Sequence, residues 1–397
     1  MGKRIAIMGA FGIGNTGNEG TLEVMHALLR RMHPDADLTC ICTYPDRVRH
    51  DHGISAIPLF LHPTATLFRT VNRALLRVPA ALIDVYRTFR RAGAFDAIII
   101  PGTGVLDDFS TAPMGWPYAA FKWSLAAKLR GIPVALVSVG AGPITSALSR
   151  WFMLRYAGMA SYRSYRDDNS KRFMESIGFD TAKDPVYPDL AFAIATEPFA
   201  APPRAEPPFT VGIGVMAYAG WRGVDAGIYH AYLPKITEFA LWILDGGHRV
   251  RLLTGDDVDQ PTAEAVLAAI REARPTLPPD AVQFDPPHTL GDVMRQVSET
   301  HVVVATRFHN VVSALKLDRP VVSIGYSKKN DELMAEMGLG EFCQHIEQLD
   351  VALLQAQFAR VLAGRDAYIK GMQAANALLR ARLAEQEAVL ASRIGLA

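Results

Sequence analysis

This sequence has few cysteines and almost no net charge, and each of these features excludes a class of protein. The three cysteines, Cys40, Cys42 and Cys343, come without a CxxC pair or a histidine cluster, so no metal site is predicted. This usage is typical of a reducing cytosol, where thiols serve as core residues. The formal net charge of +1 produces no overall field that would attract nucleic acid, so a charged partner must bind a local patch.

Long hydrophobic runs are also absent. The amino terminus, MGKRIAIMGAFGIGN, is basic and then apolar, but its apolar run is short and interrupted by glycine, so it predicts a first strand rather than a signal peptide. No other run is long enough to span a bilayer, and we therefore expect a cytoplasmic protein. No internal repeat or low-complexity segment indicates a solenoid.

The length and the order of predicted elements indicate two α/β domains. A chain of 397 residues, half of them hydrophobic, exceeds the roughly 250–300 residues at which single cores stop growing. Strands and helices alternate on both sides of a proline-rich segment, ATEPFAAPPRAEPP, which predicts a linker. The predicted domains are residues 1–194 and 209–364, with the linker at 195–208 and a helical tail at 365–397. We predict two Rossmann-like domains facing each other across a central cleft, with a long C-terminal helix.

One stretch, VVVATRFHNVVSALKLDRPVVSIGYSKK (Val302–Lys329), combines a buried strand, a polar turn, a helix and a second strand. In open α/β sheets, ligands bind at the carboxyl ends of the strands, where loops and helix N-termini converge. Arg307 and His309 stand at that point. Arginine offers a planar fork of donors to carboxylate or phosphate, and histidine exchanges a proton near neutral pH. Taken alone, these two residue types are equally consistent with a purely structural role for Arg307 and His309 at the start of the helix.

The first loop, GIGNTGNEG, is rich in glycine and leads into a helix. The GxGxxG pattern of dinucleotide sites is matched by Gly12, Gly14 and Gly17. However, three residues separate the strand from the first glycine, and no acidic residue stands at the end of the second strand. A nicotinamide-dependent oxidoreductase is therefore a rival interpretation only. The loop still presents backbone N–H groups to an anion, with Asn15 and Asn18 as side-chain donors.

Six blocks occur in an order that resembles the polysaccharide pyruvyltransferase family. They are GIGNTGNEG, then PGTGVLDD and GAGPI after two strands, YRDDNS at a helix start, DLAF before the linker, and TRFHNVVSALKLDRPVVSIGYSKK near the end. The resemblance covers about residues 4–340. It departs from the usual pattern where Asn18 replaces an acidic residue, Gly20 an alanine and Thr103 a glycine.

The resemblance implies both a fold and a reaction. The expected fold has two domains arranged as in GT-B glycosyltransferases. The expected enzyme transfers a pyruvyl group from phosphoenolpyruvate to two hydroxyls of a sugar, and so forms a ketal in a cell-surface glycan or its lipid-linked precursor. Phosphoenolpyruvate acts as co-substrate, and no metal or other cofactor is implied.

The reaction assigns roles to the residues of the Val302–Lys329 stretch and the first loop. Phosphoenolpyruvate carries about three negative charges, so its site needs forked or clustered donors. We predict that Arg307 binds a donor anion, and that His309 performs acid–base work or stabilises the departing phosphate. Lys329 is an alternative to Lys328 as a further cation. The predicted substrate-binding residues of these segments are Asn15, Gly17, Asn18, Thr306, Tyr326 and Lys328.

The N-terminal domain is predicted to bind the acceptor sugar. Its strand-end turn holds four candidates: Gly102, Gly104, Asp107 and Asp108. Carboxylates bind sugar diols and accept their protons, although one of the two aspartates instead serves as a helix cap in the alternative interpretation. Arg166 matches the family's arginine before an acidic helix start and is a candidate second anion clamp. The alternative is a salt bridge between Arg166 and Asp167 or Asp168.

Arginines recur on the predicted helices between residues 65 and 92. Arg69, Arg73 and Arg77 are spaced by four residues, and Arg87, Arg90 and Arg91 follow them, against the single acid Asp84. We hypothesise that this stripe makes a peripheral contact with an anionic membrane at its inner face, where a lipid-linked acceptor lies. The alternative is a solvated face on which arginine stems cover apolar neighbours.

Two further functions compete with pyruvyl transfer. A GT-B glycosyltransferase that uses a nucleotide sugar would share the fold, but no acidic ribose clamp stands in the expected place, and Glu332 and Glu336 are the remaining candidates. A non-catalytic glycan-binding relative would share both the fold and the acceptor side.

Overall fold

The computed structural model describes residues 2–61, 78–197, 199, 206–221, 223 and 225–393. The chain forms two compact units. The first contains Met1–Ile13, Thr21–Leu190 and Ala384–Ala397, and the second contains Gly14–Gly20 and Ala191–Leu383. The predicted helix at residues 65–77, with Arg69, Arg73 and Arg77, lies outside the described residues.

This division differs from the predicted domain ranges at three places: the first loop, residues 191–194, which belong with the second unit, and the helical tail. Gly14–Gly20 belongs with the second unit, because both the backbone N–H and the hydroxyl of Thr16 donate to the carbonyl oxygen of Gly255, each at 3.0 Å. The helical tail is not separate, since its last residues belong with the first unit and the rest with the second.

The first unit is built on a sheet of six parallel strands in the order β3-β2-β1-β4-β5-β6. The strands are β1 (Arg4–Met8), β2 (Asp37–Cys42), β3 (Ser55–Pro58), β4 (Ala97–Pro101), β5 (Val134–Val139) and β6 (Tyr162–Tyr165). The helices that follow these strands, in chain order, are α1 (Thr16–Met32), α2 (Pro45–His52), α3 (Val78–Ala92), α4 (Trp116–Leu129), α5 (Ala147–Met159) and α6 (Asp168–Ser176).

The second unit repeats this arrangement, with the strand order β12-β11-β10-β7-β8-β9. The strands are β7 (Thr210–Gly214), β8 (Arg249–Leu253), β9 (Val282–Phe284), β10 (Val302–Ala305), β11 (Val321–Gly325) and β12 (Cys343–His345). The helices are α7 (Ala226–Asp245), α8 (Gln260–Ala273), α9 (Leu290–Ser298), α10 (Phe308–Lys316), α11 (Lys328–Glu336), α12 (Val351–Ala363) and α13 (Arg365–Arg393).

The sequences of the central strands account for the sheets. The runs AIIIP of β4, VALVSV of β5 and VVVA of β10 are buried at every position, as expected for parallel strands covered on both faces. In register, Ile99 of β4 pairs with Ala135 of β5, and Val304 of β10 pairs with Ile213 of β7. The fold-class prediction is confirmed in its two Rossmann-like sheets and its long C-terminal helix, α13.

The strand order creates a reversal point in each sheet, between β1 and β4 and between β7 and β10. Connections leave the two strands in opposite directions there, so their carboxyl ends open a crevice in which ligands bind. In the second unit the segment after β10 begins with Thr306 and Arg307. None of the helices in the described part of the chain is both long and apolar enough to cross a membrane.

Candidate active site

The residues after β10 form a turn at the reversal point of the second unit. Arg307 is the N-cap residue of α10, with an extended backbone (φ −71°, ψ 134°) that ends the strand before the helix starts. Thr306, which is fully buried, donates its hydroxyl to the carbonyl oxygen of Gly214 at 3.2 Å and lies 3.2 Å from the hydroxyl of Tyr232. The predicted substrate-binding residue Thr306 therefore links β10 to β7 and α7.

Arg307 is held by an aspartate that the sequence did not single out. Its Nε donates to Oδ2 of Asp259 at 2.6 Å, and its Nη2 donates to Oδ1 at 2.7 Å. Asp259 is fully buried and also accepts the backbone N–H of Ala217 at 3.0 Å. This two-pronged pair fixes the plane of the guanidinium and directs Nη1 toward Oδ2 of Asp256, 3.7 Å away.

The two aspartates dominate the electrostatics of Arg307. Burial alone would lower the pKa of Arg307, but the adjacent Asp259 and the more distant Asp256 outweigh burial and raise it, so the guanidinium stays charged. Burial raises the pKa of Asp256, against the opposing effects of Arg307 and of the Asn15 hydrogen bond. One guanidinium and two ionised carboxylates sum to a charge of −1, and protonation of Asp256 brings the cluster to zero.

The glycine-rich loop contacts this cluster within the second unit. The side-chain amide of Asn15 donates to Oδ2 of Asp256 at 2.8 Å, and its Oδ1 accepts the backbone N–H of Asn18 at 3.1 Å, which caps α1. The N–H of Asp257 donates to the carbonyl oxygen of Gly14 at 3.1 Å. The predicted anion cradle is thus partly used by the protein itself, because the N–H groups of Thr16 and Asn18 already have acceptors.

Gly17 lies against the imidazole of His309. A Cβ at position 17 would be 1.8 Å from Nδ1 of His309, so a side chain there would displace the ring. His309 stands in the first turn of α10, half-buried, with its ring edge-on to that of Phe308 at 5.3 Å. The close approach gives Gly17 a role that differs from the predicted one: it makes room for His309.

Tyr326 and a lysine extend the site from β11. The buried ring of Tyr326 packs on that of Tyr218, with 5.5 Å between centroids. The Nζ of Lys329 donates to the Tyr326 hydroxyl at 3.1 Å and lies 5.3 Å from the ring centroid of Phe308. Lys328, the first residue of α11, is exposed. Lys329 is therefore the lysine that contacts the predicted residue Tyr326.

A buried amide follows His309 in the chain. Asn310 is fully buried, and among the described residues neither atom of its amide group has a hydrogen-bond partner. Its Nδ2 lies beside Gly214 and its Oδ1 beside Gly255, at the carboxyl ends of β7 and β8. Buried amides nearly always find partners, so this one is a candidate contact for a bound ligand.

In the first unit, the two predicted aspartates have different partners. Oδ2 of Asp108 accepts the backbone N–H and the hydroxyl of Thr145, at 2.7 and 3.0 Å, and the N–H of Ser146 at 2.9 Å. Asp108 therefore holds the loop after β5. Oδ1 of Asp107 accepts the N–H of Phe109 at 3.1 Å in a local turn.

The glycines beside these aspartates belong to a tight turn after β4. Gly102 and Thr103 both adopt left-handed backbone conformations, with φ of 50° and 52°. Thr103 carries a Cβ in a region that favours glycine, the residue that the resemblance implies at this position. A Cβ on Gly104 would lie 2.3 Å from Oδ2 of Asp107, so the turn brings backbone and carboxylate close together.

Arg166 is buried between two carboxylates of the first unit. Its Nη1 donates to Oδ2 of Asp189 at 3.3 Å, and its Nε donates to Oδ2 of Asp167 at 3.3 Å. The salt bridge to Asp167 agrees with the alternative interpretation of Arg166, in which the residue pairs with a neighbouring aspartate. Asp168 instead begins α6. A role for Arg166 as an anion clamp stays a prediction.

Sequence reasoning missed Asp256, Asp259 and Asn310. A usable signal was present: the acidic run GDDVDQP begins two residues after the end of β8, and functional side chains often stand at the carboxyl ends of strands. Across the described ranges, no group of three or more histidines, cysteines, aspartates and glutamates could hold a metal ion.

Comparison with known proteins identifies a family and a fold. The family model for polysaccharide pyruvyl transferases matches residues 15–328. No curated protein sequence matches the chain. Similar solved structures include HepE from Anabaena in complex with UDP and glucose, which is 12% identical, with 100% of both chains covered and a TM-score of 0.60.

Two further structures share the architecture. UDP-GlcNAc 2-epimerase from Neisseria meningitidis, bound to UDP-GlcNAc, is 13% identical, with 96% of this chain and 100% of the other covered and a TM-score of 0.57. The spinosyn rhamnosyltransferase SpnG is 12% identical, with 96% and 99% covered and a TM-score of 0.52. At sequence identities this low, the similarity shows a GT-B-like fold and does not indicate a function.

Proposed function

Because the chain belongs to the polysaccharide pyruvyl transferase family, we propose that it transfers a pyruvyl group from phosphoenolpyruvate to two hydroxyls of one sugar, in a cell-surface glycan or its lipid-linked precursor. The product is a ketal, and phosphate is released. The observation that carries the proposal is the Arg307–His309 turn, which lies inside the matched range and at the carboxyl end of β10 beside the reversal point. No cofactor is proposed besides the co-substrate.

The reaction sets the demands on the site. A proton adds to the methylene carbon of phosphoenolpyruvate, and the oxocarbenium-like carbon next to it forms a bond with the first sugar oxygen. The bond to the phosphate oxygen then breaks, and the second sugar oxygen closes the ketal. The two sugar hydroxyls lose one proton each. One of these protons replaces the proton that was added to the methylene carbon, and the other leaves with phosphate. The site must therefore supply an acid, a base and positive charge near the leaving group.

We assign these tasks to the residues around Arg307. The Nη1 edge of Arg307, oriented by Asp259, binds the carboxylate or phosphate of the donor, and Lys329 adds a second cation. His309 exchanges protons with the sugar hydroxyl or the departing phosphate. Asp256 is a candidate acid for the methylene carbon. It lies 3.7 Å from Nη1 of Arg307, and burial raises its pKa, which keeps more of its carboxyl group protonated. The amide of Asn310 is available to a ligand oxygen.

For the acceptor sugar, we propose the turn after β4. Asp107 is the better candidate base of the two aspartates, because Oδ2 of Asp108 already accepts three hydrogen bonds from Thr145 and Ser146. Arg166 would orient an acidic sugar or the donor only by exchanging its contacts with Asp167 and Asp189.

A second candidate function is transfer from a nucleotide sugar. HepE and the Neisseria epimerase, which share the fold, were solved with UDP or UDP-GlcNAc. In that case Glu332 or Glu336 of α11 would contact the ribose. A non-catalytic glycan-binding relative is the remaining alternative.

Ligand-dependent melting separates these functions. Phosphoenolpyruvate should raise the melting temperature of the protein, whereas UDP, GDP and NAD should not, because only a ligand that binds the folded state stabilises it. Arg307→Ala should abolish the shift, and His309→Ala should keep the shift while lowering turnover. Stabilisation by UDP or GDP, without any effect of phosphoenolpyruvate, would reject the proposal.

A further inference from the structure

Helix α3 of the first unit has its polar side turned inward. Helix α4 packs between α3 and α5 on the sheet. The buried positions of α3 include Asp84, Thr88 and Ala92. Asp84 forms a buried ion pair with Lys122 of α4, with 2.6 Å between Oδ2 and Nζ, and its Oδ1 accepts the backbone N–H of Leu61 at 2.5 Å. Polar groups thus attach α3 to the unit.

The apolar side of α3 faces solvent. Leu82 is 66% exposed and Tyr86 is 60% exposed, and Val85 and Phe89 are exposed beside them. The spacing of three, four and seven residues places all four on one stripe of the helix. The neighbouring helices continue this surface, which we call the outer face. It consists of Leu82, Val85, Tyr86, Phe89, Leu125, Leu129, Leu148 and Trp151.

The charges around the outer face have one sign. Asp84 is the only acidic residue of α3, α4 and α5, and it is buried. The exposed charged residues of these helices and of the turn after α4 are Arg87, Arg90, Arg91, Lys128, Arg130, Arg150 and Arg155. Two of them pack on aromatic rings of the face: the guanidinium of Arg130 lies 4.2 Å from the Phe89 centroid, and that of Arg155 lies 5.6 Å from the Trp151 centroid.

We propose that the outer face binds the surface of an anionic lipid bilayer. Exposed leucine, phenylalanine and tryptophan enter the boundary between headgroups and acyl chains, and tyrosine and tryptophan favour that depth. Arginine stems cover the apolar side chains while their guanidinium groups reach lipid phosphates. A soluble protein partner would not require that every exposed charge on these three helices be positive. The proposal stands on described residues alone and does not depend on the donor substrate.

Flotation with lipid vesicles tests this surface. We expect the full-length protein to float with phosphatidylcholine vesicles that contain phosphatidylglycerol, more weakly at high salt, and not with phosphatidylcholine alone. Arg90→Gln with Arg91→Gln should lower the vesicle partition coefficient by about tenfold or more, because each basic residue near an anionic surface contributes to binding. Leu82→Ser with Tyr86→Ser should lower it similarly without loss of folding, since both side chains are already exposed.

Matched controls are available in the second unit. Leu353 is 49% exposed and Leu378 is 61% exposed, so Leu353→Ser with Leu378→Ser removes comparable apolar surface elsewhere and should leave flotation unchanged. Phosphate release with a water-soluble acceptor should be the same in all these variants, which separates this proposal from the proposed reaction. Absence of flotation with either vesicle would overturn the inference. So would a dimer in light scattering that only Leu82→Ser with Tyr86→Ser dissociates, because the face would then cover a second copy.

Discussion

Two nitrogens of Arg307, Nε and Nη2, donate hydrogen bonds to Asp259, and its Nη1 edge is directed toward other partners. A mobile arginine would have to be ordered when a ligand binds, and that ordering would weaken binding. Here the buried carboxylate orders the guanidinium in advance. Asp259 is therefore a positioning residue, which acts on the substrate through Arg307.

Asp259→Asn should weaken both the site and the fold. The variant leaves a buried guanidinium without its closest negative charge, which should lower the free energy of unfolding by about 3–5 kcal/mol. A displaced Arg307 should lower kcat/KM for phosphate release by roughly 10²-fold. Urea unfolding and initial rates measure the two effects. Asp366→Asn, at a side chain that is 84% exposed, is the control and should change neither, and a fully active Asp259→Asn would refute the positioning role.

Gly17→Ala should lower turnover through His309. The added methyl group would occupy the position of the imidazole, so the ring must move, and we expect at least about a tenfold fall in kcat. Gly371→Ala is a matched control inside α13, where a Cβ meets nothing within 4 Å. That change should stabilise the protein by about 0.5–1 kcal/mol without affecting the rate. Equal rates for both variants would show that His309 is not held by Gly17.

Among single residues, the sequence allowed prediction of those that stand at strand ends with recognisable chemistry. Arg307 and His309 follow an all-apolar strand, and their residue types are informative on their own. Asp259 was missed because its importance depends on its contact with Arg307, 48 residues later. Likewise, Asn15 and Asp256 are 241 residues apart, and no local pattern reveals that they are bonded.

At the scale of elements, strongly patterned segments were predicted best. The two strands predicted in the Val302–Lys329 stretch are present as β10 and β11, because uninterrupted apolar runs define them. Helices α2 and α11 were missed. Their sequences, PDRVRHDH and KKNDELMAE, are mostly polar, and α2 buries only Val48. Such helices form because the adjacent strands fix their positions, and α2 also ends at Gly53 in a left-handed conformation; hydrophobic periodicity reports neither feature.

Helix α10 joins the site to the rest of the second unit. Its first turn carries His309, and its last residue, Lys316, is buried and donates to the carbonyl oxygen of Phe192 at 2.5 Å. Asn376 of α13 donates to the carbonyl oxygen of Leu315 at 2.8 Å and so satisfies the end of α10. The carboxyl end of the helix is therefore fixed by buried polar contacts, and its N-cap residue, Arg307, is held by Asp259.

Lys316 should give stability a pH dependence. Burial, followed by Arg380, lowers the pKa of Lys316 from 10.5 to about 8. Between these values the unfolded chain holds a proton that the folded protein lacks, so the free energy of unfolding should rise with pH, by at most about 3 kcal/mol. Below about pH 8 both states are protonated and this contribution is constant. Lys316→Met should remove the rise, as measured by urea unfolding from pH 7 to pH 10. Parallel pH profiles for the two proteins would contradict this account.

At the scale of the whole molecule, the alternation of short apolar strands and helices was enough to predict two Rossmann-like sheets. Both have the same strand order, with a reversal point between the first and fourth strands of each unit. The assignment of Gly14–Gly20 to the second unit could not be predicted. It depends on hydrogen bonds between the first loop and the residues after β8, and chain order gives no information about such long-range pairs.

We propose that this family member forms pyruvyl ketals from phosphoenolpyruvate. The most direct measurement is phosphate release from phosphoenolpyruvate with a panel of free and lipid-linked sugars, combined with mass spectrometry of the sugar product. We predict release that depends on one acceptor, a product whose mass has increased by one pyruvyl ketal, and loss of both in His309→Ala. Phosphate release without a pyruvylated product, or transfer of a sugar from UDP-sugar to the same acceptors, would contradict the claim.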